Sequence, residues 1–568
     1  MRSVPRIIVF AAMATACTAG GRDMNGTSNG STSSGSTTET TAGSTTDGII
    51  CKPGEQRCAG EDTIETCAPT GRTWEPALCG GYDRCVTCSP EEDPTCTTGA
   101  FCTGPCDLAV ELPSSAGCTF FAARMLHVFE DQPDGLVVGN PSETDVATVQ
   151  LYDIPVGGHQ EVPNGDPVVL APGETHVFLL DSAFIDASQW TMFRSGGNVV
   201  LRSDLPVVAY LHSPLTNMLA LENGKGGAPE SSMLLPLSAL RQDYVVASYA
   251  PFDDPNHPLG NGQPSYFMVL AVEDGTVLEW TPPVDTAGSG LPVDPVAAGA
   301  TGSLLMNRYD MVRIAASGEN QSAIEDRDVS GTFVHANKPI WVSGAVRCAY
   351  VPKGTRFCDH LQEVMLPLEF WGRRYVAAHA PTRGNEPFIW RIYAGADGVT
   401  VTTDPPQAGT PVTLDRGGFV EIQVGPGVDF LVDADGPVLP VQYLAGIEST
   451  GVDKGDPSMV QAVPVDQFLQ RYAFVTGVNY PEHYVQVIRE AGAADVLVDG
   501  TVVTGYRTVG GFEVADVAIE EGSHTAESAQ AFGIVQVGYG VDDNPQVLGQ
   551  AASYAYPGGM KADTLFIP

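Results

Sequence analysis

The sequence predicts an all-β protein, with tandem β-sandwich-like repeats preceded by a small disulfide-rich module. Beyond residue 119, short runs of β-branched and aromatic residues, such as 146–152 and 266–272, alternate with turns rich in Gly, Pro, Asp and Asn. A proline–tyrosine motif occurs three times in this region. Before it, residues 51–118 contain ten of the 13 cysteines. Segments with a helical period are scarce, so we expect strands to predominate.

The N-terminus has the layout of a secretory signal. Arg2 and Arg6 precede a short apolar run at 7–12, and small residues lead to Cys17. A cysteine in this position resembles the bacterial lipobox, in which the thiol is acylated; the alternative is an ordinary signal peptide cut nearby. The apolar run is shorter than the roughly 20 residues of a membrane span. We therefore predict a signal peptide at 1–16 and attachment to the membrane through a lipid on Cys17.

Two further segments separate this signal from the β region. Residues 17–50 consist mostly of Ser, Thr, Gly and Asn, and such a composition predicts a flexible tether. Residues 51–118 contain an even, dense set of cysteines, which in an exported chain predicts a disulfide-stapled module. The pairing within this module stays open, and Cys118 is compatible with either the module or the next domain.

The β region repeats. In each copy a tyrosine follows a proline by eight positions, and a strand containing another proline lies 30, 28 and 27 residues upstream of the pair. The repeat starts are 131 and 97 residues apart, a spacing of sandwich size. We predict β-sandwich units at 119–233, 234–364, 365–461 and 462–568, arranged as a rigid arm. The prolines and tyrosines are Pro236 and Tyr244, Pro367 and Tyr375, and Pro464 and Tyr472; the upstream prolines are Pro206, Pro339 and Pro437.

Composition and motifs argue against several function classes. The chain carries 29 basic and 68 acidic residues, a formal charge of −39, and losing residues 1–16 with their two arginines gives 27 − 68 = −41. Such a chain repels phosphate backbones, so we expect no nucleic-acid binding. HExxH, Walker and EF-hand patterns are absent from the sequence, and we predict neither a cofactor nor a metal.

The stretch 331–377 carries the most specific pattern in the chain. The residues that make up this pattern are, in order, Lys338, Pro339, Cys348, Cys358, Asp359, His360, Trp371 and Gly372. This order resembles the core of the IgGFc-binding protein N-terminal domain family, found in animal mucus proteins and in many bacterial surface proteins. The resemblance implies a non-enzymatic surface protein and names no ligand. Cys348 and Cys358 are the only cysteines beyond 118, and a disulfide between them would stiffen an exposed loop.

Asp359 and His360 allow two interpretations. His360 could be a metal ligand or a base oriented by Asp359. Alternatively, Asp359 caps the loop and His360 packs or hydrogen-bonds beneath it. Adjacent residues of a strand point to opposite faces, which favours the second interpretation.

These features together predict a bacterial cell-surface lipoprotein that acts as a non-catalytic binding or adhesion module. We expect it to be exported and lipid-anchored at the cell envelope, at the outer membrane or cell surface, with an extracellular protein or glycan as its partner. The alternatives are a structural spacer of the envelope and a secreted hydrolase. The oligomeric state is not predicted.

Lipidation is testable by metabolic labelling. Cells that express the chain and grow with a palmitate analogue are expected to label the wild type and to leave Cys17→Ser unlabelled, because only the cysteine offers a thiol for acylation. Equal labelling of both proteins would contradict lipid attachment at Cys17. The total amount of each chain, measured by immunoblot, is the control.

Overall fold

A computed structural model describes residues 49–60, 63–79, 83–88, 96–128, 132–180, 189–215, 229–257, 260–317, 323–540 and 551–568. The predicted signal peptide at 1–16, Cys17 and nearly all of the tether lie outside the described residues.

The first part of the chain is a small disulfide module. Its elements are β1 (Gln56–Cys58), β2 (Thr63–Cys67), β3 (Trp74–Leu78), β4 (Arg84–Thr87), β5 (Ala100–Thr103) and α1 (Pro105–Glu111). β1, β2 and β3 form one antiparallel sheet, and β4 pairs with β5. The disulfides are Cys51–Cys67, Cys58–Cys85, Cys79–Cys102, Cys88–Cys96 and Cys106–Cys118. The last bridge joins the module to the β region, because Cys118 lies in the next strand.

Four units of similar topology follow. Unit I contains β6 (Gly117–Ala122), β7 (Gly135–Gly139), β8 (Ala147–Ile154), β9 (Val162–Pro163), β10 (Val168–Leu170), β11 (Thr175–Leu179), β12 (Met192–Ser195), β13 (Asn198–Ser213) and β14 (Glu230–Met233). Unit II contains β15 (Arg241–Val245), β16 (Ser265–Ala271), β17 (Thr276–Thr281), β18 (Gly302–Met306), β19 (Asp310–Ala315), β20 (Phe333–Ala349) and β21 (Asp359–Val364).

Unit III contains β22 (Arg374–Ala377), β23 (Phe388–Ala394), β24 (Val399–Asp404), β25 (Val412–Leu414), β26 (Phe419–Val424), β27 (Phe430–Ala434), β28 (Val438–Leu444), α2 (Ile447–Thr450) and β29 (Ser458–Gln461). Unit IV contains β30 (Leu469–Val475), β31 (Glu482–Glu490), β32 (Val496–Val498), β33 (Thr501–Val502), β34 (Arg507–Val509), β35 (Phe512–Ile519), β36 (Ser523–Tyr539) and β37 (Ser553–Pro557).

One long strand organises each unit by belonging to two sheets. In unit II the first half of β20 pairs with β15 and β17, and the second half pairs with β16 and β21. The change occurs next to Pro339, since Ile340 pairs with both β15 and β16. Proline has no N–H for a continuous ladder, so it suits such a bend. β13 and β36 repeat this pattern, and in unit III the bend at Pro437 separates β27 from β28.

The recurring tyrosine locks this bend in three units. Tyr375 OH donates to Val438 O at 2.6 Å and accepts from Gly372 N at 2.9 Å. Tyr244 OH makes the equivalent bonds to Ile340 O and Arg241 N, at 2.8 and 3.1 Å. Tyr472 OH likewise bonds Phe532 O and Leu469 N. The proline of each motif precedes a 3-10 turn, at Leu237–Ala239, Leu368–Phe370 and Val465–Gln467. The sequence repeat is therefore a repeated structural corner.

The four units form a closed ring. The last strand of each unit, which we call the inner strand, pairs with the second half of the long strand; the inner strands are β14, β21, β29 and β37. β14 packs against β21, β21 against β29, β29 against β37, and β37 against β14. The units are therefore not lined up as the expected rigid arm, because the inner strands of all four pack against one another.

Hydrogen bonds between the first and last units close this ring. Ser115 N donates to Met560 O at 2.9 Å, and Ala562 N donates to Pro113 O at 3.0 Å. Tyr210 OH in unit I donates to Gly558 O at 2.9 Å. The pairing of β12 with β19 joins units I and II. Tyr443 OH donates to Ser248 O across the boundary of units II and III, and Tyr539 OH donates to Pro381 O across that of units III and IV.

The predicted all-β class, with sandwich-like repeats after a disulfide-rich module, is confirmed. In the described part of the chain, none of the helices has the length and apolar character needed to span a membrane. Folding of the units as separate domains with the predicted boundaries stays a prediction.

The corner predicts the effect of removing one hydroxyl. Tyr375→Phe leaves the buried Val438 O and Gly372 N without this partner, so we expect a loss of roughly 1–3 kcal/mol in the free energy of unfolding, measured by urea denaturation. Tyr152→Phe is the matched control, since Tyr152 is only partly buried and its hydroxyl is not part of a corner. Equal effects of both changes would contradict the role of the corner.

Candidate recognition surface at the loop end of the ring

Loops from all four units meet at one end of the ring. The second strand of each unit starts where the long strand ends, as shown by the pairs Gly135–His212, Ser265–Val346, Phe388–Leu444 and Glu482–Tyr539. The loops before the second strand and after the long strand therefore share one end, which we call the loop end. They are 123–134, 214–229, 246–264, 350–358, 378–387, 445–457, 476–481 and 540–552; of these, 129–131, 216–228, 258–259 and 541–550 lie outside the described residues.

The opposite end of each unit holds the bend of the long strand, and we call it the bend end. Ala271, at the end of β16, pairs with Ile340 at the bend. The turn that follows contains Asp274 and Gly275, and Gly275 adopts φ +68°, a conformation that glycine accepts without strain. Lys338 lies here, half-buried, with its Nζ bonded to Asp274 O. The predicted residues Lys338 and Pro339 are therefore far from the loop end.

Cys348 and Cys358 form a disulfide across a loop at the loop end. Cys348 is buried, and the Tyr350 ring stacks on Phe252 with centroids 5.0 Å apart. Gly446 N of unit III donates to Val351 O at 2.6 Å. The loop of unit II is thus held both by its own disulfide and by its neighbour.

Asp359 and His360 follow this disulfide at the start of β21, and both are buried. The Asp359 carboxylate accepts the His360 backbone N–H at 2.9 Å and does not orient the His360 ring. The ring nitrogen Nδ1 bonds Val346 O at 2.9 Å, and burial lowers the pKa of His360 to about 3. The His360 ring is thus buried and hydrogen-bonded within the fold, and its role stays a prediction.

A group of buried carboxyls surrounds the ring axis beside the loop end. Glu230 of unit I accepts hydrogen bonds from Ser458 Oγ at 2.8 Å and Met459 N at 2.9 Å, both in unit III. Burial raises the pKa of Glu230 well above its usual value. Burial, together with the negative charges of Asp456 and Glu230, raises the pKa of Asp359 in the same way. Units I, II and III each contribute one of these carboxyls.

Glu363 makes a second link between units deeper along the axis. It accepts from Ser232 Oγ of unit I at 2.6 Å and from Gln461 Nε2 of unit III at 3.3 Å. Burial raises the pKa of Glu363 to about 8. One side chain thus connects three units, and it favours the protonated form at neutral pH.

Buried ion pairs hold the loops themselves. In unit I, Asp134 accepts from His127 Nε2 at 2.9 Å and pairs with Arg124 at 3.4 Å. Burial raises the pKa of Asp134, but the neighbouring charges of His127 and Arg124 outweigh burial and lower it overall. In unit III, Arg383 pairs with buried Glu386 and donates to Ala445 O at 2.7 Å, which joins the two loops of that unit.

Trp371 and Gly372 lie in the linker between units II and III. Trp371 is buried, and its indole N–H donates to Leu366 O at 3.1 Å. A Cβ added to Gly372 would come 2.4 Å from Pro464 Cβ, so only glycine fits this contact. The predicted motif therefore divides into three places: Cys348, Cys358, Asp359 and His360 at the loop end, Lys338 and Pro339 at the bend end, and Trp371 and Gly372 in the linker.

Sequence reasoning missed the residues that connect the units across the axis. Glu230, Glu363 and Gln461 are polar residues within short buried strands. These strands, ESSM, DHLQEV and SMVQ, are too polar to be recognised as buried from their sequence, and nothing in them identifies a partner more than 90 positions away.

At the loop end, buried groups hold the loops in place and exposed residues form the surface. Among the described residues, no cluster of three or more His, Cys, Asp or Glu side chains is arranged to hold a metal ion. The carboxyls and His360 at the axis are buried, whereas the loops carry exposed residues such as Lys353, Arg356 and Asp453. This arrangement suits recognition by contact.

Six disulfides and a ring that gathers loops at one end define an exported binding module. A family model described as IgGFc binding protein matches residues 230–538, more than half of the chain, and the chain therefore belongs to this family. The match begins at β14 and ends within β36. Human IgGFc-binding protein is 24% identical over 348 residues, which cover 58% of this chain and 6% of the human protein. The chain thus spans a small fraction of the length of this relative.

The raised pKa of Glu363 predicts a pH dependence. A carboxyl with a pKa of about 8 when folded and 4.5 when unfolded contributes stability that is fully present below about pH 4.5 and is lost as the pH rises to about 8. Relative to Glu363→Gln, the wild type is expected to lose roughly 1.4 kcal/mol per pH unit in this window, measured by urea unfolding. Glu279→Gln, at an exposed position of β17, is the control and should parallel the wild type. A pH-independent difference between wild type and Glu363→Gln would contradict the assignment.

Proposed function

We propose that this chain is a bacterial cell-surface lipoprotein that binds an extracellular protein or glycan in adhesion, without catalysis. The loop end of the ring is the binding surface, and Cys17 carries the lipid anchor. The observation that carries this proposal is the convergence of loops from four units on one rigid face. A rigid scaffold lowers the entropy lost when its loops bind a partner.

The attachment of the N-terminal module supports this orientation. Gly117 at the start of β6 pairs with Val207, next to the bend of β13, whereas the loop end lies near His212. Five strand residues correspond to roughly 17 Å. The module therefore joins the ring at the bend end, and this attachment supports an orientation in which an anchor at Cys17 leaves the loop end free to meet a partner.

The name of the human relative, IgGFc-binding protein, suggests one probe, the Fc part of IgG. Because the chain covers 6% of that protein, binding of Fc by this chain is a question for experiment. A glycan array supplies the second probe. Retention of neither probe would favour the structural-spacer alternative.

The proposal is tested with paired charge reversals. Asp253→Lys with Asp453→Lys changes two exposed carboxylates at the loop end, and Glu273→Lys with Glu279→Lys changes two at or beyond the bend end. We expect the first variant to alter the apparent Kd for the retained probe at least fivefold, because charges at an interface set complementarity. The second is expected to stay within twofold. Binding is measured by biolayer interferometry on the full chain, and equal effects would contradict binding at the loop end.

A further inference from the structure

The loop between Cys348 and Cys358 differs in charge from the rest of the chain. Its nine residues, AYVPKGTRF, contain Lys353 and Arg356 and no acid, although acids outnumber bases 68 to 29 over the whole chain. Both cations are exposed. The loop is therefore a basic projection on an acidic molecule.

Phe357, at the end of this loop, has an unfavourable backbone conformation and an exposed ring. Its φ is +68°, a region that bulky L-residues rarely occupy. The residue is nevertheless 45% exposed, so packing in a core does not account for the phenylalanine. Strained residues of this kind cluster at functional sites, where the surrounding structure holds them in place.

The structure around Phe357 supplies that support. The disulfide to Cys348 follows immediately, and Gly446 N bonds Val351 O at 2.6 Å. The Arg356 backbone N–H donates to the Glu448 carboxylate of unit III. The ring is thus presented by a loop fixed at both ends and along one side.

We propose that Phe357 is the anchor residue of the loop end, and that its partner is a folded protein with an apolar pocket rimmed by carboxylates. A projecting phenylalanine fills a concave pocket, which a folded protein offers and a linear glycan does not. Lys353 and Arg356 flank the ring and pair with acidic groups at the rim. Aromatic and arginine side chains are frequent hot spots of protein interfaces. This inference rests on the proposed binding function and specifies its partner class.

A stability measurement tests the strain independently of any partner. Phe357→Gly is expected to raise the urea midpoint of the full chain above that of Phe357→Ala, because glycine adopts φ +68° without a Cβ penalty and alanine does not. Phe357→Ala is expected to stay close to the wild type, since it removes an exposed ring. A large loss of stability in both variants would mean that Phe357 is a packing residue and would overturn the proposal.

Site-specific crosslinking tests the partner. A photoreactive benzoyl-phenylalanine replaces Phe357 in the full chain displayed on the cells that express it, and the same group at Leu305, which is 66% exposed in β18 of unit II, is the control. We expect irradiation to produce a protein adduct from position 357 and at least fivefold less from 305. Lys353→Glu with Arg356→Glu should reduce the adduct at least fivefold, and so should 0.5 M salt, because screening weakens ion pairs.

The outcomes separate the two proposals. An adduct that contains glycan instead of protein, or one that persists after the charge reversal, overturns the anchor while binding at the loop end stands. Equal adducts at 357 and 305 also overturn it. If the chain retains no probe in the interferometry experiment and gives no adduct at either position, the proposed function itself fails.

Discussion

Closure of the ring is the constraint on which the other features depend. Each inner strand pairs with one strand of its own unit, and β14, β21, β29 and β37 also pack against the inner strands of neighbouring units. All residues of these four strands are buried. Polar groups along the axis, such as Glu230 and Glu363, find their hydrogen-bond partners in other units. A single unit would expose these strands and leave their polar groups without the partners that other units supply, so the units stabilise one another.

The same closure gathers the loops at the end of the ring that we propose as the binding surface. Loops are usually the least constrained part of a sandwich. Here the loops are held within their own units by hydrogen bonds of Asp134 and Arg383 and by the Cys348–Cys358 disulfide. Hydrogen bonds between units II and III hold them further. The N-terminal module joins the ring at the bend end, where Gly117 pairs with Val207.

Much of the fold could be predicted from local patterns. The Pro-to-Tyr spacing identified the repeat, and the structure shows its cause: a hydroxyl that bonds one carbonyl and one amide requires tyrosine at a fixed distance from the turn. Alternating strands and Asp-Gly turns indicated sandwiches for a similar reason. The proposed binding surface could be predicted less well from the sequence. The motif at 331–377 is continuous in sequence, yet Lys338 and Cys358 belong to opposite ends of unit II. The disulfide loop could be recognised, but the strain at Phe357 could not, since φ is decided by the packing around it.

By itself, the sequence determined the all-β class, the Pro-to-Tyr repeat, the dense cysteine module and the acidic charge, because each depends on residue type or on spacing within a few tens of positions. Only the tertiary structure decided that four units close into a ring and that Glu230 meets Ser458. These contacts join residues more than 200 positions apart, and their formation depends on the curvature accumulated by successive units. Local propensity carries no information on that curvature.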